Sequence, residues 1–188
     1  EHVTELQDAH GRMRRIVRDV LTLAREGKRI DEPSPVSVGD AAKAAWSHVE
    51  TGNATLTVET DLTVVGDGDR LERVFENLIR NAVEHATPDD SSGKTDSGEG
   101  VASGDGTPTV TVGGLPDESG FYVADDGTGI SPDHGEALFE AGTTGDGGGT
   151  GLGLAIVASI AEAHDWEVRV TESESGGARF EFAGVEVE

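Results

Sequence analysis

The fold is decided by a stretch that reads DDGTGI at residues 125–130 and GTGLGL at residues 149–154. A further glycine-rich segment, Gly142 to Gly149, lies between the two runs. Glycine permits positive φ and lets a backbone approach a ligand closely, and a glycine run that leads into a helix is typical of phosphate cradles. Either run alone would indicate no more than a turn. Together they favour a site for a phosphate-bearing ligand.

A polar face is expected on a helix upstream, from Gly68 to His85. At about 100° per residue, one face of this helix carries Asn77, Asn81, Glu84 and His85. The adjoining arc is apolar and is expected to be buried; it consists of Leu71, Val74, Phe75, Leu78, Ala82 and Ala86. Two asparagines one turn apart are poorly explained by helix stability, and carboxamide oxygens suit Mg²⁺. The alternative for this face alone is a solvated edge of an amphipathic helix.

The order of these motifs resembles the catalytic, ATP-binding domain of two-component sensor histidine kinases, and within them kinases of the haloarchaeal type. In that family the asparagine pair, the Asp-x-Gly-x-Gly run, Phe139 and the GTGLGL run are the N, G1, F and G2 boxes. The resemblance covers the chain after about residue 33. It implies an α/β fold of the Bergerat type, a two-layer sandwich in which helices cover one face of a mixed sheet. One dimerisation-type helix would precede the sandwich.

The resemblance also assigns roles to single residues. Asp125 corresponds to the aspartate that accepts a hydrogen bond from the adenine amine, and Asn81 corresponds to the Mg²⁺ ligand. Asn77 and Asn81 are the implied catalytic residues, and ATP and Mg²⁺ the implied cofactors. The implied ATP-binding residues are Asn77, Asn81, Glu84, His85, Asp125, Gly127, Gly129, Ile130, Phe139, Gly149, Thr150, Gly151, Leu152, Gly153 and Leu154. Residues 139–150 would form a flexible lid over ATP.

The activity that the resemblance implies is that of a protein-histidine kinase. Such an enzyme transfers the γ-phosphoryl group of ATP to a histidine, for relay to an aspartate of a response regulator. Asn77 stands where ATPases of the superfamily have a glutamate, and because an amide cannot act as a general base, ATP hydrolysis is disfavoured. The alternatives are a serine kinase of the anti-sigma type and a non-catalytic nucleotide-binding or dimerisation module.

The implied partners are a response regulator, the dimerisation and phosphotransfer helix of the same protein, and a second copy in a full-length homodimer. None of the six histidines is followed by an acidic residue and, a few positions on, a proline, so the phosphate acceptor is expected outside this chain. The implied location is the cytoplasm, either free or as the cytoplasmic part of a membrane-bound sensor.

Three positions depart from the family pattern. Glu84 replaces a usual lysine or arginine near the phosphates, which predicts that phosphate affinity depends more on the metal or on His85. The second phenylalanine of the F box is replaced by Ala141-Gly142. The last strand carries Gly177-Ala178 in place of a common Gly-Thr pair, which removes a hydroxyl at the adenine end.

The chain divides into two predicted parts. Residues 1–32 are the last helix of the dimerisation domain plus a hinge, and the helix bears a heptad seam of Val3, Leu6, His10, Met13, Val17, Val20 and Ala24. Residues 33–188 are the catalytic domain, in which the polar segment 87–107 is a disordered acidic insertion. Strands are expected at 36–38, 55–60, 62–65, 109–112, 120–124, 167–171 and 178–182, and further helices at 40–49, after Ser131-Pro132, and at 151–163.

Composition excludes several classes of protein. The 188 residues carry a formal charge of −23 and only three lysines. This charge argues against binding to nucleic acid or to an anionic membrane surface, and it is typical of adaptation to a salt-rich cytoplasm. The chain has no cysteine, which excludes disulfides, and no apolar run approaches the length of a membrane span.

Overall fold

A computed structural model describes residues 10, 13–14, 16–17, 19–24, 30, 32–86, 107–116, 119–130, 137–140 and 151–188. The described residues between 10 and 24 are helical. The helices that follow are α1 (Val38–His48), α2 (Gly68–Ala86) and α3 (Gly153–Ala163). The strands are β1 (Ser34–Ser37), β2 (Thr55–Val58), β3 (Thr63–Gly66), β4 (Thr109–Gly114), β5 (Gly120–Asp125), β6 (Glu167–Glu172) and β7 (Ala178–Ala183).

The strands form a five-stranded mixed sheet and a separate two-stranded one. The larger sheet has the order β2-β4-β5-β7-β6, in which only β2 and β4 are parallel. The smaller sheet pairs β1 with β3 in antiparallel register, Ser34 opposite Gly66. β3 ends at Gly66, and α2 begins two residues later beside β1, where a Cβ at Gly68 would lie 3.7 Å from the Val36 side chain.

Alternation along the strands defines the two faces of the large sheet. Phe121 and Val123 of β5 are buried while Tyr122 between them is half-exposed, and Phe180 and Phe182 of β7 follow the same pattern. Side chains that alternate in this way put one face on a core and leave the other to solvent. The buried face packs against α1, α2 and α3 in one hydrophobic core. The predicted mixed sheet with helices on one face is confirmed.

The apolar arc predicted on α2 is buried as far as the structure describes it. Leu71, Val74, Phe75, Leu78 and Ala82 are all at most 6% exposed, and Ile79 joins them at 0%. The side chain of Ala86 lies outside the described part of the chain. Burial of this arc leaves the adjoining polar face at the border of the core, where Asn77 and Asn81 are half-buried.

Two helices begin elsewhere than predicted. The helix predicted at 40–49 begins at Val38, because the Ser37 hydroxyl accepts a hydrogen bond from the Asp40 amide and caps the first turn. The predicted strand at 36–38 accordingly ends at Ser37. The helix predicted from residue 151 begins at Gly153, because Gly151 has φ +67°, which is not helical.

Several predictions fall wholly or largely outside the described residues. The insertion 87–107 does so apart from Thr107, and so do the helix after Ser131-Pro132 and residues 141–150 of the lid. Residues 137–139 form a single 3₁₀ turn. Among the helices that the structure does describe, none combines the length and the hydrophobicity that crossing a bilayer requires.

Candidate functional site

Asp125 is the last residue of β5, and its carboxylate is held by backbone amides. Its Oδ1 accepts hydrogen bonds from the amides of Gly127, at 2.9 Å, and Ala178, at 3.2 Å. The first bond closes the glycine turn that follows β5, and the second joins β5 to β7. A carboxylate that accepts from two fixed amides has a defined orientation. The next residue, Asp126, has a different task, since its Oδ1 accepts from the Thr109 amide at the start of β4, at 2.8 Å.

Ser173, a buried serine that the sequence did not predict as a site residue, holds the main chain of Asp125. The Ser173 hydroxyl donates to the Asp125 carbonyl oxygen at 2.6 Å and accepts from the Gly177 amide at 2.9 Å. Ser173 is only 7% exposed. Ser173 lies two residues beyond the strand predicted at 167–171, and its sequence context gives no signal of this role, because its partners are 48 and 4 residues away. Position 178 lacks the hydroxyl that is common in the family, but the nearby Ser173 supplies a hydroxyl that contacts the Asp125 main chain.

Two glycines around Asp125 have no room for a side chain. A Cβ at Gly177 would overlap both the carbonyl oxygen and Oδ1 of Asp125. Gly129 has φ +73°, and a Cβ there would lie 2.7 Å from the Gly176 carbonyl oxygen. The G1-box turn and the β6–β7 turn therefore approach each other backbone to backbone, which requires glycine at both positions.

The two asparagines of α2 converge on the start of α3. An ideal Cβ at Gly153 would lie 3.2 Å from Asn77 Oδ1 and 3.7 Å from Asn81 Oδ1. Asn77 is oriented by its own helix, because its Nδ2 donates to the Arg73 carbonyl at 2.8 Å. Both carboxamide oxygens thus lie beside the first residue of the G2-box helix. The structure brings together two motifs that are 72 residues apart (153 − 81) in the chain.

The N-terminus of α3 has the features of an anion site. Gly151 has φ +67°, and the N-cap residue Leu152 provides no side-chain cap. Amides in the first turn of a helix have no intrahelical acceptor, and the helix dipole adds a partial positive charge there. The asparagine oxygens and the helix amides therefore offer a cation ligand set and an anion ligand set side by side.

Three apolar members of the predicted site pack on the core. Ile130, Phe139 and Leu154 are half-buried against it. The Phe139 ring meets Phe180 of β7 edge to face, with 6.5 Å between ring centroids. This contact anchors the 3₁₀ turn at the end of the described part of the lid.

Charge around the asparagines is mixed. A cavity of about 350 Å³ beside α2 is lined by Asn77 and Glu84, and also by the guanidinium-bearing Arg73 and Arg80. Glu84 is exposed, whereas Arg80 is half-buried. Arginine is therefore present on the same helix as the acidic residue that replaces the family's basic one. Of the other predicted site residues, Gly149, Thr150 and the side chain of His85 lie outside what the structure describes.

His164 connects the C-terminal end of α3 to the residue before α2 through hydrogen bonds. Its Nδ1 lies 2.7 Å from the Ile160 carbonyl, and its Nε2 accepts from the Asp67 amide at 3.1 Å. The ring stacks on Trp166, with centroids 4.1 Å apart. Burial lowers the pKa of His164, since desolvation disfavours the imidazolium. A neutral imidazole with its proton on Nδ1 satisfies both bonds.

The family model of histidine kinase-, DNA gyrase B-, and HSP90-like ATPases matches residues 66–186, about two thirds of the chain. The chain belongs to this family. Its relatives within the ATPase family include the signal transduction histidine-protein kinase BaeS of Escherichia coli, 29% identical over 94% of this chain. The sensor histidine kinase ZraS of Salmonella typhimurium is 38% identical over 65% of the chain. The predicted resemblance to sensor histidine kinases is confirmed.

Solved structures agree with this assignment. The full-length ShkA structure in complex with AMPPNP superimposes on the whole chain with a TM-score of 0.71 at 27% identity, and the match covers 39% of ShkA. The mycobacterial sensor histidine kinase MprB matches 83% of the chain with a TM-score of 0.63 at 22% identity, which supports the fold. The chain spans 38% of the length of BaeS and 23% of that of ZraS, so these relatives contain much more than this ATPase-family domain.

Proposed function

We propose that this chain binds Mg²⁺·ATP and supplies the catalytic domain of a protein-histidine kinase. One observation carries the proposal: the carboxamide oxygens of Asn77 and Asn81 converge on Gly153 at the start of α3. Neutral oxygen ligands beside the first turn of a helix suit a triphosphate and its metal together.

Adenine recognition is assigned to Asp125. Its Oδ1 is occupied by the amides of Gly127 and Ala178, which fixes the plane of the carboxylate. An ionised carboxylate only accepts hydrogen bonds, so it favours the exocyclic amine of adenine over the carbonyl of guanine. Ser173 and Gly177 keep this carboxylate in position through the Asp125 main chain.

Phosphate binding is assigned to Gly151, Gly153 and the first turn of α3. Asn81, with Asn77 beside it, would hold Mg²⁺, whose chemistry there is to neutralise charge on the phosphates. Both residues are amides, so neither can deprotonate water. The γ-phosphoryl group is thereby kept for transfer to an acceptor histidine. None of the histidines in this chain has the sequence context of the family's acceptor.

The whole protein's partners are part of the proposal. We assign the described helical residues from 10 to 24 to the dimerisation and phosphotransfer domain. We also propose that a response regulator is the final phosphate acceptor. Met13, Val17, Val20 and Leu21 are each at least 50% exposed on this helix, which supports its pairing with a second copy in a homodimer. The cytoplasm, where ATP is available, is the proposed compartment.

Calorimetric titration with ATP, with and without Mg²⁺, tests the site. Asp125→Asn keeps an Oδ1 that can accept from Gly127 and Ala178. It replaces the other oxygen by an amide NH2 group, a donor that would face the amine donor of adenine. We expect a loss of about 1.5–3 kcal/mol, or about 10- to 150-fold in affinity. Asp126→Asn is the matched control and should bind as the wild type does. Equal binding by both variants contradicts the assignment of adenine to Asp125.

Phosphotransfer is tested on the full-length protein with γ-labelled ATP. We expect label that is stable to alkali and labile to acid, as phosphoramidate bonds of phosphohistidine are. Acid-stable label on serine would instead indicate a serine kinase. ATP binding without any label would indicate a non-catalytic module.

A further inference from the structure

A second cluster of ligand-type side chains contains none of the proposed ATP-site residues, although it borders the cavity that Asn77 and Glu84 also line. It joins His48, the last residue of α1, to Glu72 and Glu76 of α2. His48 Nδ1 lies 2.7 Å from Glu72 Oε1 and 3.4 Å from Glu76 Oε1, and one ligand atom from each residue lies within 4.8 Å of the other two. The side chain of His48 is 58% exposed, so solvent reaches the cluster, while Glu72 and Glu76 are 27% and 29% exposed.

The helix packing behind the cluster holds it in place. Small residues of α1, Ala41, Ala42 and Ala45, are buried in the same core as Leu71 and Phe75 of α2. Small side chains let two helices approach closely, so the end of α1 is fixed over the second and third turns of α2. Glu72 and Glu76 are four residues apart and therefore share one face of α2. The three ligand atoms are thus positioned by two packed helices and not by loops.

We propose that His48, Glu72 and Glu76 bind a divalent transition metal of the zinc class. In a tetrahedral zinc site with ligands about 2.1 Å from the metal, neighbouring ligand atoms are about 3.4 Å apart. The Nδ1–Oε1 distance between His48 and Glu76 already has this value. The distance between His48 and Glu72 is shorter by 0.7 Å (3.4 − 2.7) and is that of a direct hydrogen bond, so a metal would replace this contact and require the exposed imidazole to rotate. A fourth position remains for water.

Charge in the cluster favours a divalent cation over a simple ion pair. Two carboxylates four residues apart on one helix repel each other. Protonated His48 neutralises one of them and leaves a net charge of −1, in a chain whose formal charge is −23. The cavity that His48 and Glu76 line also carries Glu50 and Glu84 on one side of the charge balance and Arg73 and Arg80 on the other, so these four do not remove the excess negative charge of the cluster. A divalent ion neutralises both carboxylates at once.

The donor set selects the metal. An imidazole nitrogen suits Zn²⁺, Co²⁺ and Ni²⁺, whereas Mg²⁺ takes oxygen ligands. Mg²⁺ at millimolar concentration is therefore not expected to displace Zn²⁺ from this site. A bound ion would join the end of α1 to α2 at Glu76, the residue next to Asn77, and would stabilise the folded state by binding it alone. This inference does not depend on the proposed kinase activity.

Zinc titration by calorimetry in excess Mg²⁺ and without nucleotide tests the site. We expect one equivalent of Zn²⁺ to bind and to raise the melting temperature. His48→Ala, Glu72→Gln and Glu76→Gln should each lower the affinity for this zinc ion by at least about 10- to 100-fold. Even the loss of residues that only support metal ligands has effects of this size. Co²⁺ provides a second readout, because its visible spectrum changes when an imidazole nitrogen binds.

Controls separate this site from binding elsewhere. Glu162→Gln on the exposed face of α3 and His10→Ala on the N-terminal helix remove the same chemical groups at other described positions. Both control variants should still bind the one equivalent of Zn²⁺ that His48→Ala no longer binds. Circular dichroism of each variant shows whether it is folded. Zinc uptake that is the same in wild type, His48→Ala and both glutamine variants would overturn the proposal, and so would a folded wild type that binds no zinc under these conditions.

Discussion

Gly177 and Asp125 are in backbone contact across β5 and β7, and this contact sets the shape of the adenine end of the site. No side chain fits at Gly177, because a Cβ would overlap the Asp125 carbonyl and carboxylate oxygens. The amide of Gly177 also donates to Ser173, whose hydroxyl holds the Asp125 carbonyl. A change at position 177 therefore moves the residue that we assign to adenine, although it touches no ligand itself.

Gly177→Ala is expected to lower both stability and affinity for ATP. Overpacking of this kind costs about 1–3 kcal/mol, and the displaced carboxylate should lose much of its hydrogen bond to adenine. Gly176→Ala in the same turn is the control. Its φ of +90° makes alanine strained, at about 1–2 kcal/mol, but nothing lies within 4 Å of its Cβ. Thermal melts and ATP titrations of both variants check this. An affinity loss as large in Gly176→Ala as in Gly177→Ala would contradict the role given to the contact.

At the scale of elements, an aromatic cluster joins the helices to the sheet. Phe121 of β5 stacks on Phe182 of β7 with centroids 4.7 Å apart. It also lies 5.8 Å from Phe75 of α2 and 5.8 Å from Trp166, which precedes β6. Phe121 of β5 thus contacts three other elements or their ends at once. Since α2 carries both asparagines, the position of the proposed metal ligands depends on this cluster.

Phe121→Ala is expected to lower the free energy of unfolding by about 3–5 kcal/mol, because a fully buried ring leaves a cavity. Phe139→Ala should cost less, since Phe139 is only half-buried and meets the core through Phe180. Chemical denaturation of the two variants measures both values. The roles of the two rings are wrong if Phe139→Ala proves the more destabilising.

His164 connects α3 to α2 and introduces a dependence of stability on pH. Its pKa is lowered below 6.5 in the folded protein by burial. Between that lowered pKa and about 6.5, the unfolded chain binds more protons than the folded one, so stability rises with pH in this window. At higher pH the imidazole is neutral in both states and the contribution is complete. As pH falls through this window, the unfolded chain takes up the proton and stability declines; the decline ends at the lowered pKa, where the folded imidazole is protonated as well and no longer accepts from the Asp67 amide.

We expect wild-type stability to fall as pH drops below 6.5, and His164→Gln to lose this component of the pH dependence. Glutamine does not titrate, and its oxygen can still accept from Asp67. Denaturation curves at a series of pH values on both proteins measure the difference between their slopes. Identical slopes would show that other groups cause the decline.

At the scale of the whole molecule, charge dominates. The formal charge of −23 over 188 residues produces self-repulsion that salt screens. The described surface does contain local compensation, because Glu181 accepts from Arg169 and Arg179 at 2.7 Å each, and Arg179 covers the Tyr122 ring at 3.7 Å. These pairs lie on the solvent face of the sheet and cannot balance the total.

We therefore expect the melting temperature to rise steeply as KCl increases from about 0.1 M, where the screening length is about 10 Å, to about 1 M, where it is about 3 Å. Sucrose at matched osmolality is the control, since it favours burial without screening charge. Stability that depends on sucrose as strongly as on KCl would argue against the predicted adaptation to salt.

Much of this protein could be predicted from local pattern alone. The period of the apolar residues on α2 predicted which side chains are buried, since helix geometry converts sequence spacing directly into direction. The order of four short motifs predicted the family and the fold. Local signals failed at boundaries, as at Val38, where a serine cap outweighed β propensity, and at Gly151, where positive φ delayed α3 by two residues.

The sequence by itself determined the charge, the helix faces, the motif order and thereby the family, because each of these follows from residue identities and their spacing along the chain. Only the tertiary structure decided which distant groups meet. The approach of Asn77 and Asn81 to Gly153, the support of Asp125 by Ser173 and Gly177, and the cluster of His48 with Glu72 and Glu76 all depend on how helices and strands pack. Packing is set by the shape and burial of the whole core, and no spacing along the chain encodes it.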